Sequence, residues 1–218
     1  MNMQDDAGAP YVAAAPARPW TRIEATHDTV LRRPTVADVP GIFVVHSDPE
    51  VYRFDPRETH PDPAHTAQFL NPMLTHWDEY GFGYWSVLVP RTVFPGGVAA
   101  VGDADDGRVL AGLGGVQHHT MTGQPVLNVY FRFAPAAQGH GLARIVLEHV
   151  VSIGPLVAPG ADVVVRTRPA NVIARHVAER AGFVDEGLEP GTTDMQLLRY
   201  QVPRRHRETV SHPPVSGP

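Results

Sequence analysis

Apolar and polar positions change their period abruptly near residue 138. Residues 126–133 (VLNVYFRF) are a run of β-branched and aromatic side chains, which predicts a strand, and Ala134-Pro135-Ala136-Ala137 closes it as a tight loop. From there Leu142, Ile145, Val146, His149, Val150 and Ile153 recur at three- and four-residue spacing while Arg144 and Glu148 take the other side, the pattern of an amphipathic helix. Between the two lies Gln138-Gly139-His140-Gly141-Leu142-Ala143, where two glycines and a lone methyl leave the backbone open to close approach.

The flanking stretches predict a sheet around this unit. Residues 29–33 read as a short strand, and Thr35 then caps a helix with Asp38 three residues on and Val36, Val39, Ile42, Phe43 and His46 on one face. After a loop over 49–63, residues 64–79 predict a second helix, with Phe69, Met73, Leu74 and Trp77 aligned and a bend at Asn71-Pro72. Strands are expected at 83–89 and 109–117, joined by a long Gly/Pro/Asp-rich connection over 90–108. Residues 162–166 (DVVVR) read as a buried strand and 171–181 as a helix capped by Asn171 and stopped by Gly182. Residues 183–186 and 195–202 complete the sheet as a hairpin pair. The order β-α-α-β-β-β-α-β-α-β-β predicts a single α/β (α+β) domain, a mixed sheet of about seven strands flanked by about four helices.

Composition narrows the class. A chain of 218 residues, 43% hydrophobic and 19% charged, is large enough for one domain with a proper core. Residues 1–25 and 204–218 are rich in alanine, proline or polar residues without sustained periodicity and read as flexible tails, leaving 26–203 as the folded unit. The net charge of −5 gives no electrostatic footprint for nucleic acid. No apolar run approaches the ~20 residues of a membrane span and no leader pattern opens the chain, so a cytoplasmic protein is expected. The absence of cysteine excludes disulfides, thiolate metal sites and a cysteine nucleophile. The 12 histidines show neither H-x-x-x-H nor H-E-x-x-H spacing on a helix, so no metal site is expected.

The glycine turn carries the chemistry. A strand, a glycine turn and a helix N-terminus together cradle an anion, at roughly 0.3–1 kcal/mol per exposed charge and up to about 2 when partly buried. A dinucleotide fingerprint is disfavoured because Arg144 stands where a third small residue would let the helix approach its strand, and no Gly-Lys-Ser/Thr follows to make a Walker loop. Gln138-x-x-Gly141-x-Ala143 resembles the R/Q-x-x-G-x-G/A motif of the GCN5-related N-acetyltransferases (GNAT). Asn171-x-x-Ala174 followed by Ala181-Gly182-Phe183 resembles that family's second segment, and the element order is similar to its fold over nearly the whole folded region. The Gly83-Tyr84-Trp85 strand and the N-terminal half look most like the ribosomal-protein-alanine N-acetyltransferase (RimJ/RimL-like) branch.

The resemblance implies acetyl-CoA as co-substrate and a primary amine as acceptor, joined by direct attack in a ternary complex. It assigns cofactor binding to Phe131, Arg132 and Phe133 along the strand, to Gln138, Gly139, His140, Gly141, Leu142 and Ala143 at the turn, and to Asn171. The general acid is the departure: family members often carry a tyrosine or serine where Ala178 and Ala174 stand here. Asn128 and Tyr130, on one face of the preceding strand, are the nearest catalytic candidates, and His118 or His119 could accept a proton from the amine. A catalytically weak or inactive acyl-CoA-binding module is the alternative. The acceptor pocket is expected from loops 53–63 and 90–108. Oligomeric state stays open, a homodimer included.

Overall fold

Thr122 and Gly123 both take positive φ (48° and 78°), the backbone that a two-residue hairpin turn demands. They join β5 (Arg108–Met121) to β6 (Gln124–Phe133), the longest strands of the sheet. The computed structural model describes residues 19–94, 103–104 and 107–200. In chain order the elements are β1 (Arg22–Glu24), β2 (Val30–Arg32), α1 (Val39–His46), α2 (Pro63–Tyr80), β3 (Tyr84–Pro90), β4 (Asp103–Ala104), β5 and β6. They continue as α3 (Leu142–Val157), β7 (Asp162–Thr167), α4 (Val172–Arg180), β8 (Val184–Leu188) and β9 (Gln196–Tyr200). The strands form one mixed sheet ordered β1-β2-β3-β5-β6-β7-β9-β8, with β4 beside β5. The fold class is as the pattern predicts; two short strands, β1 and β4, are additional.

Tyr130 packs against His46 of α1 and Phe69 of α2, whereas a Cβ built on Gly114 would meet Val146 of α3. Helices α1 and α2 therefore cover one face of the sheet and α3 the other, with α4 beside β7 to β9. Leu142, Ile145, Val146, Leu147, Val150 and Ile153 of α3 are all buried, each worth about 1.5–3 kcal/mol of burial. Helix α2 runs through Pro72 between an Asp62 cap, which accepts from the His65 amide at 2.7 Å, and a left-handed Gly81. Trp77 lies under Gly83 and donates from Nε1 to the Tyr84 carbonyl at 2.8 Å, locking α2 to the start of β3.

The structure departs from the expected boundaries in three places. Residues 19–25, expected in the N-terminal tail, hold a 3-10 turn and β1, and the Trp20 carbonyl accepts from Trp85 Nε1 at 2.8 Å. The remainder of that tail and all of the C-terminal one lie outside the described residues. Helix α1 starts at Val39 because Val36–Asp38 is a separate 3-10 turn; Val36, expected on the apolar face, is 70% exposed. There Asp38 accepts from the Thr35 amide, Arg32 and Ser86, joining β2, the turn and β3 through one buried carboxylate. Finally, β5 continues past Gln117 to Met121, so His118 and His119 are strand residues. Among the described residues no helix is long and apolar enough to cross a membrane.

Among the described strands only β6 and β7 pair in parallel, and they do so from Val126↔Asp162 to Val129↔Val165. Beyond that point β6 follows β5, to Phe133↔Gly112, and β7 follows β9, to Thr167↔Gln196. The two strands therefore part. Gly112 makes this possible on the β5 side, since a Cβ there would lie 1.9 Å from the Arg132 carbonyl oxygen. From Tyr130 to Phe133 one edge of β6 has no neighbouring strand among the described residues.

Candidate active site

The parted strands open directly onto the glycine turn. Gly139 and Gly141 have φ of 85° and 78°, and a Cβ at either would meet nothing within 4 Å. Glycine is favoured there by backbone conformation and not by crowding. Gly141 is the N-cap of α3, and no side chain caps the helix. Its helical bonding begins with the Ile145 amide on the Gly141 carbonyl at 3.1 Å, so the earlier amides of the first turn have no intrahelical acceptor. Gln138 instead turns away: its amide bonds the Pro135 carbonyl and its Nε2 the Phe133 carbonyl at 3.2 Å.

A cavity of about 340 Å³ runs from this turn into the opening between β6 and β7. Phe131, Arg132 and Phe133 form its β6 wall; Ala137, Gln138, Gly139, Gly141, Leu142, Ala143 and Arg144 form the turn and helix start; Asn171, Ile173, Ala174 and Val177 come from α4 and its cap. The segment after α1 supplies Glu50, Val51, Arg53 and Phe54. The described lining residues include three arginines, Arg53, Arg132 and Arg144, and one carboxylate, Glu50, a balance that adds positive potential to that of the uncapped helix. Asn171 is largely occupied with its own helix, Oδ1 accepting from the Ala174 amide and Nδ2 donating to Thr167 Oγ1 at 3.1 Å.

The model of the acetyltransferase (GNAT) domain family matches residues 28–184. The chain belongs to the GNAT acetyltransferase family. No curated protein matches it at comparable significance. Solved GNAT structures share its fold at low identity. An acetyltransferase from Bacillus anthracis is 15% identical, with a TM-score of 0.61 over 83% of this chain and 98% of that one. The ribosomal L7/L12 α-N-protein acetyltransferase RimL, solved with coenzyme A, is 13% identical at a TM-score of 0.61 over 83% and 97%. Spermidine N-acetyltransferase from Vibrio cholerae, solved with CoA and spermine, is 18% identical at 0.55 over 79% and 95%.

Within this GNAT domain, all the residues expected to hold cofactor line the cavity except His140, which sits exposed between the two left-handed glycines. Arg144 lies on the outer side of α3, as the spacing predicts, 3.3 Å from Glu148, and Val146 makes the close contact at Gly114. Asn128 and Tyr130, the catalytic candidates, do not reach the cavity lining. Strand alternation carries them to the α1/α2 face, opposite Phe131 and Phe133. There Asn128 Nδ2 donates to the Tyr84 hydroxyl at 3.3 Å, and the Tyr130 hydroxyl is buried without a hydrogen bond of standard geometry. Burial raises the Tyr130 pKa well above the ordinary phenol value and pushes Tyr84 to about 12, so both phenols stay protonated.

Below them the Tyr52 hydroxyl and His46 Nδ1 are 2.7 Å apart, and burial holds the His46 pKa well below the ordinary imidazole value. His118 and His119 are absent from the cavity lining; the His118 amide donates to His76 Nε2 at 3.1 Å. Of the loops expected to build an acceptor pocket, the first contributes Arg53 and Phe54, while most of the connection over 90–108 lies outside the described residues. Glu50 and Val51 were not foreseen: they sit in a loop with no period. Ile173 of α4 is 58% exposed at the cavity rim.

Proposed function

We propose that the domain binds acetyl-CoA in this cavity and transfers its acetyl group to a primary amine of low pKa, an N-terminal α-amine or a small-molecule amine. One observation carries the reading: a strand edge without a neighbour leads straight to an uncapped helix start, in a single cavity. The residues fit the co-substrate chemically. Main-chain amides at the α3 start suit a pyrophosphate, Arg53 and Arg144 suit further phosphate charge, and the edge from Tyr130 to Phe133 offers peptide groups to an extended pantetheine arm in place of a strand. When bound, acetyl-CoA supplies an activated acyl carbon. The chain's part is to hold that carbon against the amine, an advantage of several kcal/mol, and to offer a β6 amide to the developing oxyanion.

The amine class follows from what the cavity lacks. Among the described residues Glu50 is its only lining carboxylate, and it lies 3.6 Å from Arg53. An α-amine with pKa near 7.8 is neutral in roughly a seventh of molecules at pH 7, whereas a lysine near 10.4 costs about 4–5 kcal/mol to deprotonate. A thiol-release assay with acetyl-CoA and a panel of peptides, polyamines and small amines tests this. Release with α-amines but not internal lysines is expected; reaction only at internal lysines overturns the acceptor class. Cofactor binding without product for any amine would favour the acyl-CoA-binding module, which Ala174 and Ala178 on α4 support.

A further inference from the structure

Residues 50–55 leave α1 and cross the mouth between the parted strands as a chain of tight turns: the Val51 amide bonds the Asp48 carbonyl, Tyr52 bonds Pro49 and Asp55 bonds Tyr52. Both sides of the mouth hold this segment. From β6, Arg132 NH1 donates to the Val51 carbonyl at 2.9 Å, and its guanidinium lies 3.9 Å over the Tyr52 ring. From just beyond β7, Arg168 donates through NH2 to Asp55 and through NH1 to Asp194 of the loop before β9. Tyr52 is also fastened backward to His46 at the end of α1. Between these anchors Val51 and Phe54 turn onto the cavity as its apolar wall.

We propose that residues 50–55 are a strap closing the acyl-transfer cavity on the side away from α3, and that Arg132 and Arg168 are positioning residues that pin it to the two strands. The inference rests on the acetyl-CoA reading of the cavity and adds what the strap does there: it excludes water from the thioester until an amine arrives. The reaction it suppresses is hydrolysis, in which water oxygen bonds the acetyl carbon, the carbon–sulfur bond breaks, and acetate, a proton and free CoA thiol result. Arg168 is the better probe of the two because its contact spans the opening, from one strand end to the loop of another layer. Hydrogen bonds from Arg168 and Arg57 hold the Asp55 carboxyl below the usual carboxylate range, so the latch stays charged through neutral pH.

The test uses Arg168→Met, Asp55→Asn, the charge-preserving Arg168→Lys, and Asp194→Asn, which removes the other partner of Arg168 and leaves the strap contact. Amide hydrogen exchange over 49–56, measured without cofactor, is expected to quicken about 2- to 5-fold in Arg168→Met and Asp55→Asn, the range a partly exposed ion pair supports. Exchange over 142–157 should not change. Acceptor-free thiol release from acetyl-CoA should rise by a similar factor in both variants, and Arg168→Lys and Asp194→Asn should stay near the parent on both readouts. Unchanged exchange over 49–56, an Asp194→Asn variant that matches Arg168→Met, or quickened exchange with unchanged hydrolysis each overturns the strap. Should Arg168→Met fold poorly, Asp55→Asn carries the same readouts. Failure of the parent to bind acetyl-CoA would instead overturn the cavity's assignment, while the exchange data still decide whether the segment is pinned.

Discussion

Replacing Gly141 with aspartate should remove acetyl-CoA binding while leaving the domain folded. The position has φ of 78° and open space within 4 Å of a built Cβ, so the cost to the free protein is that of one non-glycine residue in left-handed backbone, about 1 kcal/mol. For a chain of this size that lowers Tm by about 2–4 °C. The carboxylate would stand at the N-cap of α3, where it both takes the free amides and repels a phosphate. At about 5 Å and an effective dielectric near 20, the repulsion is about 3 kcal/mol, or roughly two orders of magnitude in Kd. A thermal shift reads the difference directly. Acetyl-CoA at about one hundred times its Kd stabilises the parent by about 2.7 kcal/mol, or about 5–11 °C; the same concentration should move the variant by about 1 °C or less. Gly141→Ala separates charge from strain, since it carries the φ cost alone and should keep most of the shift. A full shift in Gly141→Asp, or an equal loss in both variants, would refute the anion seat.

Two further outcomes follow from the structure. Gly112→Ala sets a Cβ 1.9 Å from the Arg132 carbonyl oxygen, which only backbone movement can relieve; a loss of about 3 kcal/mol in urea unfolding is expected, with weaker acetyl-CoA binding because the cavity wall at Arg132 and Phe133 shifts. Stability should also fall with acid: burial, with His65 and Arg132 nearby, holds the His60 pKa at about 4 against 6.5 unfolded. The unfolded chain then binds the proton first, so the stability present above pH 6.5 is lost as pH falls toward 4. The shift corresponds to about 3 kcal/mol at most and roughly 1–2 after allowance for solvent screening, and a His60→Gln variant should flatten that part of a Tm-against-pH curve.

Periodicity served best where one element buries one face. The apolar spacing of α3, the Asn171 cap of α4 and the glycines of the turn each act within a few residues, so each was legible in the sequence. It failed where a contact joins distant segments. Arg132 and Val51 are 81 positions apart and Arg168 and Asp55 are 113, and no local pattern marks an arginine as the partner of a particular loop. The pairing of Asn128 with Tyr130 on one strand face followed from alternation, but which face looked toward the cavity depended on how α1 and α2 lie over the sheet. Strand ends were harder: the expected strand stopped at Gln117, yet the pairing of β5 with β6 continues through His118, His119 and Thr120 because the turn, Thr122-Gly123, comes later. A two-residue strand such as β4 carries no period at all.

The anion seat proposed at the start of α3 rests chiefly on peptide nitrogens, with no side chain capping the helix. On that reading, drift at positions 138 and 140 would leave the grip on a common donor molecule intact so long as residues 139 and 141 keep their freedom of twist. Selectivity for the receiving molecule has to be written in a different part of the chain, and the two can change independently.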